Sequence, residues 1–170
     1  GNTIEEDLHQ RDFTINAIAS PLTSVVAAQG GCKTRGTTPG PYHTRTLTSV
    51  IDPLNGHADI QAHCLKAVNN EVFQHDPLRM LRAVRLTMRY LLHIDPNTET
   101  LIQRDAKLIT RSAPERIHDE LYTILTPNGA AGRLHYLDQL GLLTALIPEF
   151  IPARGMPQPH PHHWDVLYHS

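Results

Sequence analysis

Arg11-Asp12-Phe13-Thr14-Ile15-Asn16-Ala17 is the stretch on which the reading of the fold turns. Phe13, Ile15 and Ala17 alternate as the apolar face of a short extended segment. Arg11, Asp12 and Asn16 are then polar groups beside a buried surface, a placement that calls for a paired charge or a bound ligand. The residues alone leave both options open. Glu5, Glu6 and Asp7 form an acidic approach, so residues 1–21 read as the end of an α/β unit.

Downstream, residues 22–48 are rich in Thr, Gly and Pro and read as a flexible insertion. Val50-Ile51 returns as a short strand, Asp52-Pro53-Leu54-Asn55-Gly56 is turn chemistry, and Asp59 to Val68 reads as a short helix or a strand pair. From residue 76 the pattern is helical. Asp76 is placed to cap a first helix with Pro77 at its first position, and Arg79, Arg82, Arg85 and Arg89 follow along one side. A second helix starts near Asp95-Pro96. A third is announced by the capping-box pattern Ser112-x-x-Glu115. A fourth runs from about Gly129 to Leu140 and is stopped by Gly141, before a short helix at 142–147. Prolines 148, 152, 157, 159 and 161 then mark a linker.

The 170 residues hold one ordinary domain or two small pieces, and a hydrophobic content of 40% is enough for a core. The net charge of −2 gives no general push toward nucleic acid, but residues 76–116 carry eight basic side chains against five acidic ones. That local excess suits phosphates, and equally a solvated helix face. Cys32 and Cys64 are the two cysteines, with no CxxC, which fits a reducing cytoplasm rather than a disulfide scaffold. No apolar run reaches membrane length, and no membrane association is expected.

Three separated motifs carry a resemblance. Asp52-Pro53-Leu54-Asn55-Gly56-His57-Ala58-Asp59, then His75-Asp76-Pro77-Leu78-Arg79-Met80-Leu81-Arg82-Ala83-Val84-Arg85, then Ser112-Ala113-Pro114-Glu115-Arg116-Ile117 follow the Arg11–Ala17 segment in order. Together they resemble class II tRNA nucleotidyltransferases, the CCA-adding enzymes, and the related bacterial poly(A) polymerases, over most of residues 3–150. The resemblance implies an α+β, mostly α chain: residues 1–60 as the C-terminal part of a nucleotidyltransferase head, 61–150 as a helical neck that binds nucleotide and RNA, and 151–170 as a linker into an HD-type domain.

Asp76 and Arg79 offer a carboxylate acceptor and a fork of donors on one helix face, which is what reading the Watson–Crick edge of a base requires. A plain cap with its i,i+3 partner reads equally from the residues; the resemblance assigns the pair to the base of incoming CTP or ATP. It assigns Asp12 to a ribose hydroxyl, Arg11 and Asn16 to the sugar–phosphate side, and Arg82 and Arg85 to phosphates, where guanidinium forks suit the oxygens. Arg111 and Arg116 are the expected RNA contacts. His75 stands where the family often has Glu, and Gln10 replaces the first of two arginines. The two groups, around residues 12 and 76, are expected to face each other across roughly one nucleotide.

The resemblance further implies template-independent addition of CMP and AMP to the 3′ end of tRNA, or of another RNA, with Mg²⁺ held by paired acids. No Asp-x-Asp occurs in the chain, so those ligands are expected upstream of residue 1 and the chain alone is expected to be inactive. Within the tail, His169 matches the first metal ligand of an HD-type phosphohydrolase domain. The alternatives are poly(A) synthesis, a non-catalytic RNA- or nucleotide-binding module, and an HD-type phosphohydrolase.

Overall fold

A computed structural model of the chain describes residues 3–21, 50–127 and 129–152. The expected insertion at 22–48 and the tail with His160, His162, His163 and His169 lie outside the described residues. What is described is the mostly helical α+β arrangement expected.

Helix α1 (Ile4–His9) opens the chain, and its start is closed reciprocally: Glu6 N donates to Thr3 Oγ1 at 3.3 Å and Thr3 N donates to Glu6 Oε2 at 3.1 Å. Glu5, Glu6 and Asp7 sit in its first turn, where the helix dipole favours them. The Arg11–Ala17 segment then departs from the extended form expected. Only Phe13 pairs as strand, in an antiparallel bridge to Ala67, and Thr14–Asn16 coil into a 3-10 turn. The cause is local. The Asp12 carboxylate accepts from Phe13 N at 3.2 Å and from Asn16 Nδ2 at 2.9 Å, a side-chain competition that favours a turn. The buried face is nonetheless Phe13 and Ala17, both fully inaccessible, and it gains Thr14.

Ala19 and Ile51 exchange two backbone hydrogen bonds of 2.9 and 2.8 Å, so Val50-Ile51 does return as an extended segment. The Asp52 carboxylate then caps helix α2 (Gly56–Gln61), accepting from Gly56 N at 2.7 Å and His57 N at 2.9 Å. Strand β1 (Cys64–Leu65) pairs in parallel with β2 (His93–Ile94), so the Asp59–Val68 stretch is part helix and part strand. Cys64 is half-buried at this edge rather than in the core, whereas Met80 is fully buried.

Helix α3 (Val72–His75) leads into α4 (Arg79–Tyr90), the centre of the packing. Met80, Leu81, Ala83 and Val84 are fully buried and join Phe13, Phe73 and Leu65 in one core. Asp76 does not cap α4 as expected. The helix starts at Arg79, and Asp76 Oδ1 instead accepts from Leu78 N at 3.3 Å in the turn before it.

Helix α5 (Pro96–Asp105) begins as expected, with Thr98 N donating to Asp95 at 3.1 Å. A 3-10 stretch at Ala106–Arg111 connects it to α6 (Pro114–Leu125). The capping box expected at Ser112 is not formed: Ala113 holds the cap position, and Ser112 Oγ is buried without a hydrogen-bond partner. Ser112→Ala is therefore expected to raise the melting temperature, removing an unsatisfied hydroxyl worth about 1 kcal/mol. A true cap would lose about 1 kcal/mol on the same change, so a denaturation curve separates the two.

Helices α7 (Ala130–Gln139) and α8 (Leu142–Leu146) follow, with Gly141 between them at φ 74°, and a 3-10 turn at Pro148–Phe150 comes after them. That left-handed backbone makes Gly141 the expected stop. Gly141→Ala is expected to lower stability by about 1 kcal/mol in chemical denaturation, from backbone strain.

Candidate functional site

The two sequence groups meet, and they meet directly. Arg82, on α4, donates from Nη1 to Asp12 Oδ2 at 2.8 Å. Arg79, at the start of the same helix, donates from Nη2 to the Gln10 carbonyl at 3.2 Å. At these two contacts the walls expected to stand one nucleotide apart touch.

Asp12 is 7% exposed, and both of its oxygens are engaged: Oδ2 by Arg82, Oδ1 by Asn16 and the Phe13 amide. Burial pushes its carboxyl up, but the Asn16 and Arg82 hydrogen bonds and the Arg82 charge together outweigh it and hold the group below the usual 3.8. For Arg82, burial pulls the guanidinium down and the Asp12 contact, with Glu120 and Asp76, more than restores it. A carboxyl depressed in the fold contributes stability that is complete above 3.8 and is lost as pH falls through its lower folded value. The expected result is an acid-side loss of stability below about pH 4 that Asp12→Asn reduces, read from melting temperature against pH.

The chain of charges continues through a residue that sequence reasoning missed. Glu120, on α6, receives Arg85 through both oxygens, at 2.6 and 3.4 Å, and lies 3.9 Å from Arg82 Nε. Asp12, Arg82, Glu120 and Arg85 thus alternate in sign across three segments of the chain. A signal was present. Glu120 lies three residues after Ile117 and four before Ile124, on the inward stripe of α6, where an unpaired acid is costly.

The remaining expected residues divide. Asp76 Oδ2 faces Arg116 Nη2 at 3.3 Å, so the base-side acid and an expected RNA contact are partners. Arg79 Nε is buried with no partner, a donor left without an acceptor. Arg11 turns away from Asp12 and pairs with Asp7 on α1. Arg111 is exposed and makes no ion pair among the described residues. Arg82, Arg85, Arg116 and Glu120 line an open cleft of about 430 Å³ between α4 and α6. Donors outnumber acceptors along it, so it suits an anionic ligand with polar edges.

A divalent metal fits these residues poorly. No group of three or more His, Cys, Asp or Glu side chains is placed to hold one among the described residues, and Asp12 and Asp76 each face an arginine.

A sequence profile described as the probable RNA and SrmB-binding site of polymerase A matches residues 92–154. The chain is 31% identical over 172 residues to the A-adding tRNA nucleotidyltransferase of Deinococcus radiodurans, matching 98% of this chain and 34% of that protein. It is 33% identical to the multifunctional CCA protein of Ralstonia nicotianae, over 96% of this chain and 34% of the relative. Among solved structures it is similar to the Thermotoga maritima CCA-adding enzyme complexed with tRNA, at a TM-score of 0.67 and 25% identity over 92% of this chain and 33% of that one. A CCA-adding enzyme in complex with ATP matches at a TM-score of 0.65 and 25% identity, over 92% of this chain and 32% of that one. Over nearly its whole length the chain is similar to tRNA nucleotidyltransferases. It spans about a third of the length of the curated relatives it matches.

Proposed function

We propose that this chain is the ribose- and base-side part of the nucleotide pocket, with its helical neck, of an enzyme that adds CMP and AMP to the 3′ end of tRNA. The head contribution is residues 1–60 and the neck is 61–150, with Arg111 and Arg116 on the RNA side. The observation that supports the reading is the Asp12–Arg82–Glu120–Arg85 chain, which brings Asp12 of the Arg11–Ala17 motif against Arg82 of the His75–Arg85 motif. Relatives named for A addition and for CCA support the acceptor, and similar CCA-adding enzymes in complex with ATP and with CTP support the donors.

Asp12, fixed by Arg82 and Asn16, keeps lone-pair capacity for a ribose hydroxyl, since a carboxylate accepts about four hydrogen bonds. Arg79, whose Nη2 rests on the Gln10 carbonyl, and Asp76, paired with Arg116, are assigned to the base edge as donor and acceptor. Arg82 and Arg85 hold positive charge along the cleft for the triphosphate, with Glu120 setting their forks. Mg²⁺ is assigned to none of the described residues, and His169 is left as the candidate metal ligand of an HD-type domain.

The test uses the full-length enzyme with tRNA lacking its 3′ end, Mg²⁺ and labelled CTP or ATP. Incorporation of a few nucleotides is expected. A long homopolymeric tail would instead make it a poly(A) polymerase, and no incorporation with either nucleotide would sink the transferase reading. In the same assay Arg79→Ala is expected to reduce discrimination between CTP and ATP by about tenfold, and Asp12→Ala to reduce preference for ribonucleotides by a similar factor.

A further inference from the structure

A second cleft, of about 290 Å³, lies between the C-terminal halves of α4 and α6 and the first turn of α7. Its lining is mostly apolar, from Met88, Ile124 and Pro127, and its charged side chains are all arginines: Arg85, Arg89 and Arg133. The three cations are held differently. Arg85 is closed on Glu120. Arg133 Nη1 donates to the Ile124 carbonyl at 3.0 Å and to the Pro127 carbonyl at 2.6 Å, which anchors its guanidinium without neutralising it. Arg89 lies over the Tyr90 ring, 5.5 Å from its centre, and has no acidic partner among the described residues. Two uncompensated positive charges therefore edge an apolar slot.

That combination complements a flat uncharged ring joined to an anion. A base lies against apolar side chains or a guanidinium plane, while its phosphate takes the arginine forks. An ion alone would gain nothing from Met88, Ile124 and Pro127. The slot also shares Arg85, Arg89 and Thr123 with the larger cleft, so their occupants adjoin. Adjoining nucleotide units are what an incoming nucleotide and a growing strand present.

We infer that the Met88–Ile124–Pro127 slot holds one base of the RNA acceptor end, with Arg89 and Arg133 on its phosphates. The inference rests on the proposed function for the identity of the strand.

The test measures binding of a fluorescent single-stranded oligoribonucleotide, with the sequence of a truncated tRNA 3′ end, to the full-length enzyme across a salt series. Arg133→Gln is expected to weaken binding by about tenfold and to lower the slope of log affinity against log salt by about 1. Arg133→Lys keeps the charge and should restore the slope. CTP affinity of Arg133→Gln should stay within about twofold of wild type. Arg89→Gln, at an exposed position that the fold does not need, is expected to lower the slope in the same way. In wild type, an abasic site scanned along the oligonucleotide should weaken binding at one position. Unchanged affinity and slope in both arginine variants would overturn the inference, as would an abasic scan with no sensitive position. So would loss of CTP binding with RNA binding intact. The outcomes separate from the parent reading: nucleotide incorporation with these RNA results absent removes the slot alone, and an intact slot without incorporation removes the transferase alone.

Discussion

Gly56→Ala is expected to destabilise the protein by about 3 kcal/mol or more, enough to leave a domain of this size poorly folded at ordinary temperature. A Cβ at this position would stand 2.1 Å from the Thr14 carbonyl oxygen and 2.6 Å from its carbon. These are backbone atoms, and they cannot swing aside as a side-chain tip would. The Gly56 amide is at the same time bound to Asp52 at 2.7 Å, so retreat of the helix start breaks its cap. On the other side, Thr14 donates its hydroxyl to Asp59 at 2.6 Å and its amide to the Lys66 carbonyl at 2.9 Å. The carbonyl is therefore held from several directions. Urea or thermal denaturation of the variant reads the loss directly. A change below about 1 kcal/mol would mean that the Asp52–Asp59 turn is not seated on the Arg11–Ala17 segment as described.

Arg82→Ala is the second large effect, expected at about 3 kcal/mol. The Asp12 side chain is 9% exposed and Arg82 31%, so the pair is largely shielded from water. Removing the guanidinium leaves Asp12 buried with only neutral donors, and takes one of two cations from Glu120. The cost of the unpaired acid dominates over the lost attraction. A double-mutant cycle with Asp12→Ala is expected to give a coupling of about 1–3 kcal/mol. Because Asp12 and Arg82 also stand in the proposed nucleotide site, the cycle should be run on stability first and on nucleotide binding second. Coupling near zero in denaturation would show that the contact is incidental to the fold.

Much of the helical half was legible in the residues because its signals are local. Asp95 before Pro96 caps α5, and Gly141 ends α7 in the left-handed conformation only glycine adopts readily. The arginines of α4 follow from helical spacing. Capping failed where a local pattern competed with packing. Ser112 and Glu115 match a capping box, yet the turn enters α6 one residue later and strands the Ser112 hydroxyl. Asp76 is displaced in the same way, two residues ahead of the cap position that Leu78 holds. The alternation at Phe13, Ile15 and Ala17 reported burial correctly at Phe13 and Ala17 but not fully at Ile15, and conformation incorrectly, because Asp12 draws Asn16 back over the backbone. Apolar alternation over so few residues does not distinguish a strand from a turn that happens to bury both ends.

The residues by themselves determined the family resemblance, the run of helices and several of the polar groups at issue, since motif order and helix spacing are properties of the chain as written. Only the tertiary structure decided how those groups are joined. Whether Arg11 or Arg82 serves Asp12 depends on which of them α4 and α1 carry to the same point, and the fold chose Arg82, 70 residues away in sequence. Glu120 became visible for the same reason: its importance lies in standing opposite two arginines of another helix, a relation that exists only once α4 and α6 are packed.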